Sequence, residues 1–202
     1  MEQPDTEKLI KDTARDIFFQ KGRLSATTQE IADEAGVNRA LIHYYFRSRE
    51  QLLQTVFQEA VNEIRGTVSE IFKTDAPFKT KISRYLDAFI NHNVKYPYIQ
   101  NFIVTEITSD PEKEKEYMKS KRERMFKTIM PELEKEIREG KMAPIKFEHF
   151  MTNLTSLCSY PMVAKPILQR MFGFDDKSYR NFLKERKAII YRMLFNEELV
   201  HE

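Results

Sequence analysis

The 202-residue sequence has little of what many folds and activities require. It holds one cysteine, Cys158, and five glycines. A single cysteine excludes an intrachain disulfide and a cysteine-rich metal cluster, and it fits a reducing compartment. So few glycines argue against an all-β fold full of tight turns. Charge of one sign is also scarce. The formal net charge is +2, so any basic footprint for nucleic acid must be local. No apolar run approaches the roughly 18 residues that a membrane helix needs. The opening residues, MEQPDTEKLIKDTARD, lack the apolar core of a secretory signal. A cytoplasmic protein with no membrane partner is the expectation.

Catalytic constellations are missing too. His43, His92, His149 and His201 are scattered, and no pair has the spacing of a metal site on one helix face. There is no glycine-rich phosphate loop and no G-x-S-x-G. Cys158 lies on an apolar stretch with Leu154 and Leu157, which fits a buried, inert thiol. The expectation is no enzyme, no cofactor and no metal.

What is present is helical periodicity, with 41% hydrophobic residues, enough for a core. Leu9, Ile10, Ala14, Ile17 and Phe18 form one face of a first helix, with Asp5 as its cap and Gly22 as its stop. Thr27-x-x-Glu30 is a capping box that opens a second helix; Gly36 ends it and Asn38 caps a third. Ser48-x-x-Gln51 launches a long fourth helix, broken at Asp75-Ala76-Pro77. Further helices are expected near 79–95, 98–108, 111–139, 146–171 and 176–199. Pro131 kinks the stretch it sits in or shifts its hydrogen bonding, and Pro161 and Pro166 interrupt theirs. The carboxylates of 112–139 alternate with Lys and Arg, as on a solvated face. The sum is an all-α chain of about nine helices, dividing near residue 48 into an N-terminal domain, 1–48, and a helical bundle, 49–202.

One stretch, TTQEIADEAGVNRALIHYYF at 27–46, breaks a good helix after two turns and restarts it at once. Helix, short glycine turn, helix is the signature of a helix-turn-helix. Ile31, Ala32, Ala35 and Val37 pack inward, joined by Ile42, Tyr45 and Phe46. That turns Arg39, Ala40, His43 and Tyr44 outward, where they suit a major groove about 12 Å wide. Thr27 and Thr28 sit at a helix N-terminus that favours phosphate, and Arg47 and Arg49 flank the start of the next helix. Residues 1–50 carry eight basic and nine acidic side chains, so placement rather than number carries this reading.

Residues 5 to about 57 resemble the DNA-binding domain of the TetR family of transcriptional regulators. The family pattern runs roughly T-T-x-x-I-A-x-x-A-G-V-S-x-x-x-L-Y-x-Y-F-x-S-K-E-x-L, and this chain has TTQEIADEAGVNRALIHYYFRSREQL. The resemblance implies groove-facing roles for Gln29, Arg39, Ala40 and Leu41, and phosphate contacts from Thr28, Tyr44, Tyr45 and Arg49. Asn38 stands where Ser is common, and keeps the capping ability. His43 replaces a usual Tyr, and Arg49 a usual Lys. Leu41 either touches a thymine methyl or faces inward.

The remainder is expected to supply a partner surface and a signal. Phe150, Leu154 and Leu157 form one apolar stripe, and Phe182, Ile189, Ile190 and Met193 another. Paired with symmetry mates they would make a four-helix interface, as in the family, so the expectation is a homodimer on a palindromic operator. The same stripes could instead bury themselves within one subunit. Phe57, Tyr85, Phe89, His92, Phe102, Thr105, Tyr117 and Phe126 are the candidates for lining a pocket for a small apolar effector. The function expected is a ligand-responsive regulator of double-stranded DNA, most simply a repressor. The alternative is a non-enzymatic helical interaction protein whose helix-turn-helix is structural.

Overall fold

A computed structural model describes residues 5–107 and 111–197, and among them all regular structure is helical. The helices are α1 (Thr6–Arg15), α2 (Thr28–Ala35), α3 (Arg39–Phe46), α4 (Arg49–Lys73), α5 (Phe78–Lys95), α6 (Ile99–Phe102), α7 (Pro111–Thr128), α8 (Met130–Arg138), α9 (Phe147–Val163), α10 (Lys165–Phe172) and α11 (Asp176–Phe195). α1 and α6 run on into widened π-helical turns, Asp16–Gln20 and Ile103–Ile107. The count exceeds the expected nine because 111–139 and 146–171 each divide in two.

The prolines explain where the divisions fall. Pro131 and Pro166 stand in the first turns of α8 and α10, where a missing N–H costs nothing. Pro161 instead lies inside α9 and leaves the helix unbroken. The Leu157 carbonyl, which a residue with an N–H at 161 would satisfy, accepts from the Arg186 guanidinium of α11 at 3.2 Å. The Tyr179 hydroxyl donates to the Pro161 carbonyl. Arg186 of α11 thus takes the place of the missing N–H, while Tyr179 satisfies a carbonyl of the last turn of α9.

The chain divides into two compact units within α4, at Gly66, further along than the expected boundary at 48. The first unit comprises residues up to Gly66 together with Lys95–Ile99. Its core is Ile10, Ala14, Ile17, Phe18 and Phe19 of α1 and its π turn, with Ile31, Ile42, Leu52, Val56 and Phe57, all fully buried. The widened turn lets three consecutive residues, 17 to 19, face inward. Phe19 therefore joins the core, whereas Leu9, expected there, is exposed. The returning segment closes this unit. The Tyr98 N–H donates to the Phe19 carbonyl at 3.1 Å, and the Tyr98 ring covers Gly22. A Cβ at Gly22 would lie 2.8 Å from that ring, and its φ is +69°, so glycine is required twice over. Phe57 is a core residue here, with its ring 6.4 Å from that of Phe19. That corrects its expected place in an effector pocket.

The second unit holds two clusters. The larger gathers Phe72, Phe78, Ile82, Leu86, Leu133, Phe150, Leu154, Cys158, Ile190 and Phe195. The smaller gathers Ile90, Met162, Ala164, Leu168, Tyr179 and Leu183, with Phe182 packed against it. Phe150, Leu154 and Ile190 are thus covered by their own subunit, which corrects their expected place in a dimer seam. Leu157 and Ile189 are half-buried, and Met193 is 62% exposed. Burial pushes the Cys158 thiol up to about 12, which makes it a poor nucleophile. Lys81 is buried and meets Glu132 at 2.6 Å, and Lys187 meets Asp87 at 2.6 Å. No described helix is long and apolar enough to cross a membrane. No described group of three or more His, Cys, Asp or Glu is placed to hold a metal ion.

Candidate nucleic-acid interface

The site begins with caps. The Thr27 hydroxyl accepts from the Glu30 N–H at 3.2 Å, and the Glu30 carboxylate accepts from the Thr27 N–H at 2.7 Å. Those Thr27 bonds, with Arg23 nearby, hold the Glu30 carboxyl below its usual range. Gly36, at φ +67°, ends α2 in the left-handed region, and the Val37 N–H closes on the Ala32 carbonyl at 3.0 Å. The Asn38 side chain then accepts from the Ala40 N–H at 2.8 Å and starts α3. Three short-range devices in a row fix the angle at which α3 leaves α2.

α3 is backed by Ile42 and Phe46, both buried. The helical period then forces Arg39, Ala40, His43 and Tyr44 outward together, and all are exposed. Tyr44 is 77% exposed, a large ring standing clear of its own core. Tyr45 is 38% exposed and meets Tyr44 edge to face at 5.0 Å, so it lies on the rim rather than in the core. Leu41 is half-buried. The Arg39 Nε donates to the Thr28 hydroxyl at 3.1 Å, which ties the first residue of α3 to the first of α2, and Arg39 remains exposed. Gln29 is exposed but laid along its own helix by a 2.8 Å bond to Asp33.

After α3 the chain makes an unusual turn. Arg47 has φ +63° and ψ −43°, and the Ser48 N–H donates to the Phe46 carbonyl at 2.7 Å. This is the rare, strained form of the three-residue γ-turn, held by a non-glycine residue. The Arg47 side chain is exposed on the same side as Arg39 and His43. Thr28, Arg39, Ile42, His43, Arg47, Ser48 and Arg49 enclose a basin of about 260 Å³, the size of a small anion and its waters. Nothing in the sequence pattern announced the turn at Arg47; only its charge was legible.

Arg49 is placed differently from the expectation. Its guanidinium donates to the carbonyls of Ala26, at 2.7 Å, and Leu24, and lies 5.6 Å from the Phe18 ring centre. It spends its donors holding the loop that leads into the Thr27 cap. Its charge still borders the basin, but its geometry is that of a brace.

Among the described residues the effector candidates are distributed over α4, α5, α6 with its π turn, and α7. Tyr85 and Phe89 pack against the larger cluster of the second unit, with rings 6.0 Å apart, and Phe102 and His92 are buried. Thr105 is exposed and donates to the Asn101 carbonyl at 2.9 Å. The Tyr117 side chain lies outside the described residues. Phe126 is 39% exposed on α7, with its ring 5.1 Å from that of Phe147.

The sequence profile of the bacterial regulatory proteins of the tetR family matches residues 10–56. The chain is 25% identical to the probable HTH-type transcriptional regulator YttP of Bacillus subtilis (strain 168), over 95% of this chain and 89% of that protein. It is 33% identical to the HTH-type transcriptional regulator BetI of Rhizobium meliloti (strain 1021), over 40% of each. Its fold is similar to the crystal structure of a TetR/AcrR-family regulator of Thermobifida fusca YX-ER1. That match has TM-score 0.68 at 17% identity, and covers 93% of this chain and 97% of the other. The capped helix-turn-helix lies inside the segment that matches the tetR-family profile, and the helical fold is similar to that of a TetR/AcrR-family regulator over nearly the whole length.

Proposed function

We propose that the protein is a cytoplasmic, non-enzymatic repressor that binds a palindromic operator as a homodimer and releases it when an effector binds. The observation that carries the DNA-binding part is the single outward row of Arg39, Ala40, His43, Tyr44 and Arg47 beside the basin at Thr28. In this reading Arg39 pairs with a guanine edge, and Tyr44, Arg47 and Thr28 hold phosphates. Gln29, Asn38, Ala40, Leu41, His43 and Tyr45 surround those contacts, and Thr27 and Arg49 set their geometry.

The dimer surface is drawn on what the subunit leaves uncovered. Tyr160, Ile167, Met171 and Phe172 are each more than half exposed at the end of α9 and on α10, and Met193 on α11 likewise. A two-fold axis there would give two reading heads and a symmetric operator. The effector couples to DNA through α4, one unbroken helix shared by both units. An effector that favours one arrangement of that helix shifts the fraction of dimers able to bind, and DNA weakens effector binding by the same factor.

Selection from random double-stranded DNA tests this reading, with wild type and Arg39→Ala side by side. The expected result is an enriched palindrome, relaxed at one base position per half-site by Arg39→Ala. No salt-dependent enrichment by either protein would favour a helix-turn-helix that is only structural.

A further inference from the structure

We propose that Thr28 is a positioning residue for base reading: its hydroxyl fixes Arg39 across the helix-turn-helix, so sequence choice depends on a side chain that touches no base. The inference rests on the reading that Arg39 pairs with a base edge. The contact is the 3.1 Å bond from the Arg39 Nε to the Thr28 Oγ1. A guanidinium only donates, so the hydroxyl is the acceptor, and its single proton has still to be placed. In other helices of the protein that proton goes to the backbone. Thr55, Thr105, Thr128 and Thr152 donate to the carbonyls four residues back, those of Gln51, Asn101, Arg124 and Glu148. Thr28 is the first residue of α2, so no helical carbonyl stands four residues before it. The carbonyl at that place in the chain, Leu24, is engaged by Arg49. The Thr28 hydroxyl can therefore accept from Arg39 and donate to a phosphate at once.

What the bond does to Arg39 gives it a role in specificity. An exposed arginine has a large rotamer entropy, which a base contact must otherwise overcome. Thr28 is half-buried in the wall of the basin, and the capping box of Thr27 and Glu30 fixes its backbone. It is thus a firm point from which to hold a long, exposed side chain. With Nε committed to Thr28, the fork of the two terminal nitrogens is the donor pair that remains for a guanine O6 and N7. The bond also ties α2 to α3 at their first residues, so the grip on phosphate and the reading of a base meet at one oxygen. A phosphate contact by itself carries no sequence information. The Thr28 hydroxyl acquires it through Arg39.

Equilibrium affinities test this for full-length wild type, Thr28→Val, Thr28→Ser, Arg39→Ala and the double variant Thr28→Val with Arg39→Ala. Each is measured on the selected operator and on operators with the base pairs of the half-site replaced one at a time. Thr28→Val keeps the branched shape and removes the hydroxyl. It should reduce the preference for the base pair that Arg39→Ala relaxes by about three- to tenfold, what one hydrogen bond contributes, beyond any weakening common to all duplexes. In the Arg39→Ala background it should reduce that preference no further, and Thr28→Ser should keep it. Should Thr28→Val not fold, Thr28→Ala carries the same expectations. Equal weakening of every duplex by the hydroxyl-free variant would make Thr28 a phosphate contact only and overturn the proposal. The same loss of preference with and without Arg39 would also overturn it, by placing Thr28 on the base itself. Both of those outcomes leave Arg39 standing as the base reader. If no operator is selected, or Arg39→Ala relaxes no position, the base-reading role of Arg39 fails and this inference fails with it.

Discussion

α3 and α7 are built from similar materials and arrive at different surfaces. Both mix cations with aromatic or apolar side chains at three- and four-residue spacing. α3 is short, capped by Asn38 and backed by Ile42 and Phe46, so Arg39, His43 and Tyr44 stand out from a rigid support. α7 is longer, and it leaves Met118 and Phe126 partly exposed among its lysines and arginines. Side-chain type and spacing alone do not separate these two surfaces; capping and backing do. A rigid outward row suits the groove of a partner.

The largest effects should come from removing the backing. Ile42→Ala deletes a fully buried side chain behind the reading row and should cost about 2–5 kcal/mol in urea denaturation. Met118→Ala on α7 should stay within about 0.5 kcal/mol, since that side chain rests in no core. Similar costs for both would end the contrast between the two helices.

Next comes the brace. Arg49→Met strips the donors from the carbonyls of Leu24 and Ala26, and should destabilise the protein by about 1–3 kcal/mol. Arg49→Lys should recover only part of that, because one ammonium cannot reproduce the forked donation. A stable Arg49→Met protein that merely loses DNA affinity would return Arg49 to the phosphate contacts.

Arg47 separates stability from function. Arg47→Gly relieves the γ-turn strain and loses some chain entropy, so the protein should gain about 1 kcal/mol net. Operator affinity should fall at the same time. A smaller loss, about 1 kcal/mol, is expected for Thr27→Ala at the α2 cap. The Glu30 carboxyl is held low in the folded state, so its part in that cap is present above the ordinary carboxyl range. It disappears as pH falls through the depressed value. The gap between wild type and Thr27→Ala should therefore narrow in acid.

Much of the first unit could be read from the chain because its instructions are local. Thr27, Glu30, Gly36 and Asn38 act within a few residues of themselves, and each cap forms where the pattern placed it. The second unit was harder because its instructions are distant. The apolar stripes of α9 and α11 say that something must cover Phe150, Leu154 and Ile190, but not whether the cover is a partner or the same subunit. Pro161 reads as a breaker until Arg186, 25 residues on, supplies the missing donor. Arg49 misled for a related reason. A guanidinium near a helix N-terminus suits a phosphate or a backbone carbonyl equally, and only the fold shows that Leu24 and Ala26 were within reach.

The most direct measurement is equilibrium affinity for the selected operator and for a scrambled duplex, over a range of salt, for wild type, Arg39→Ala and Arg47→Gln. With Arg39 on a base edge and Arg47 on a phosphate, Arg39→Ala should cost about 1–3 kcal/mol on the operator and little on the scrambled duplex. Arg47→Gln should weaken both alike and reduce the salt slope by about one. If Arg39→Ala weakens both duplexes equally, or neither, then α3 does not read bases through Arg39.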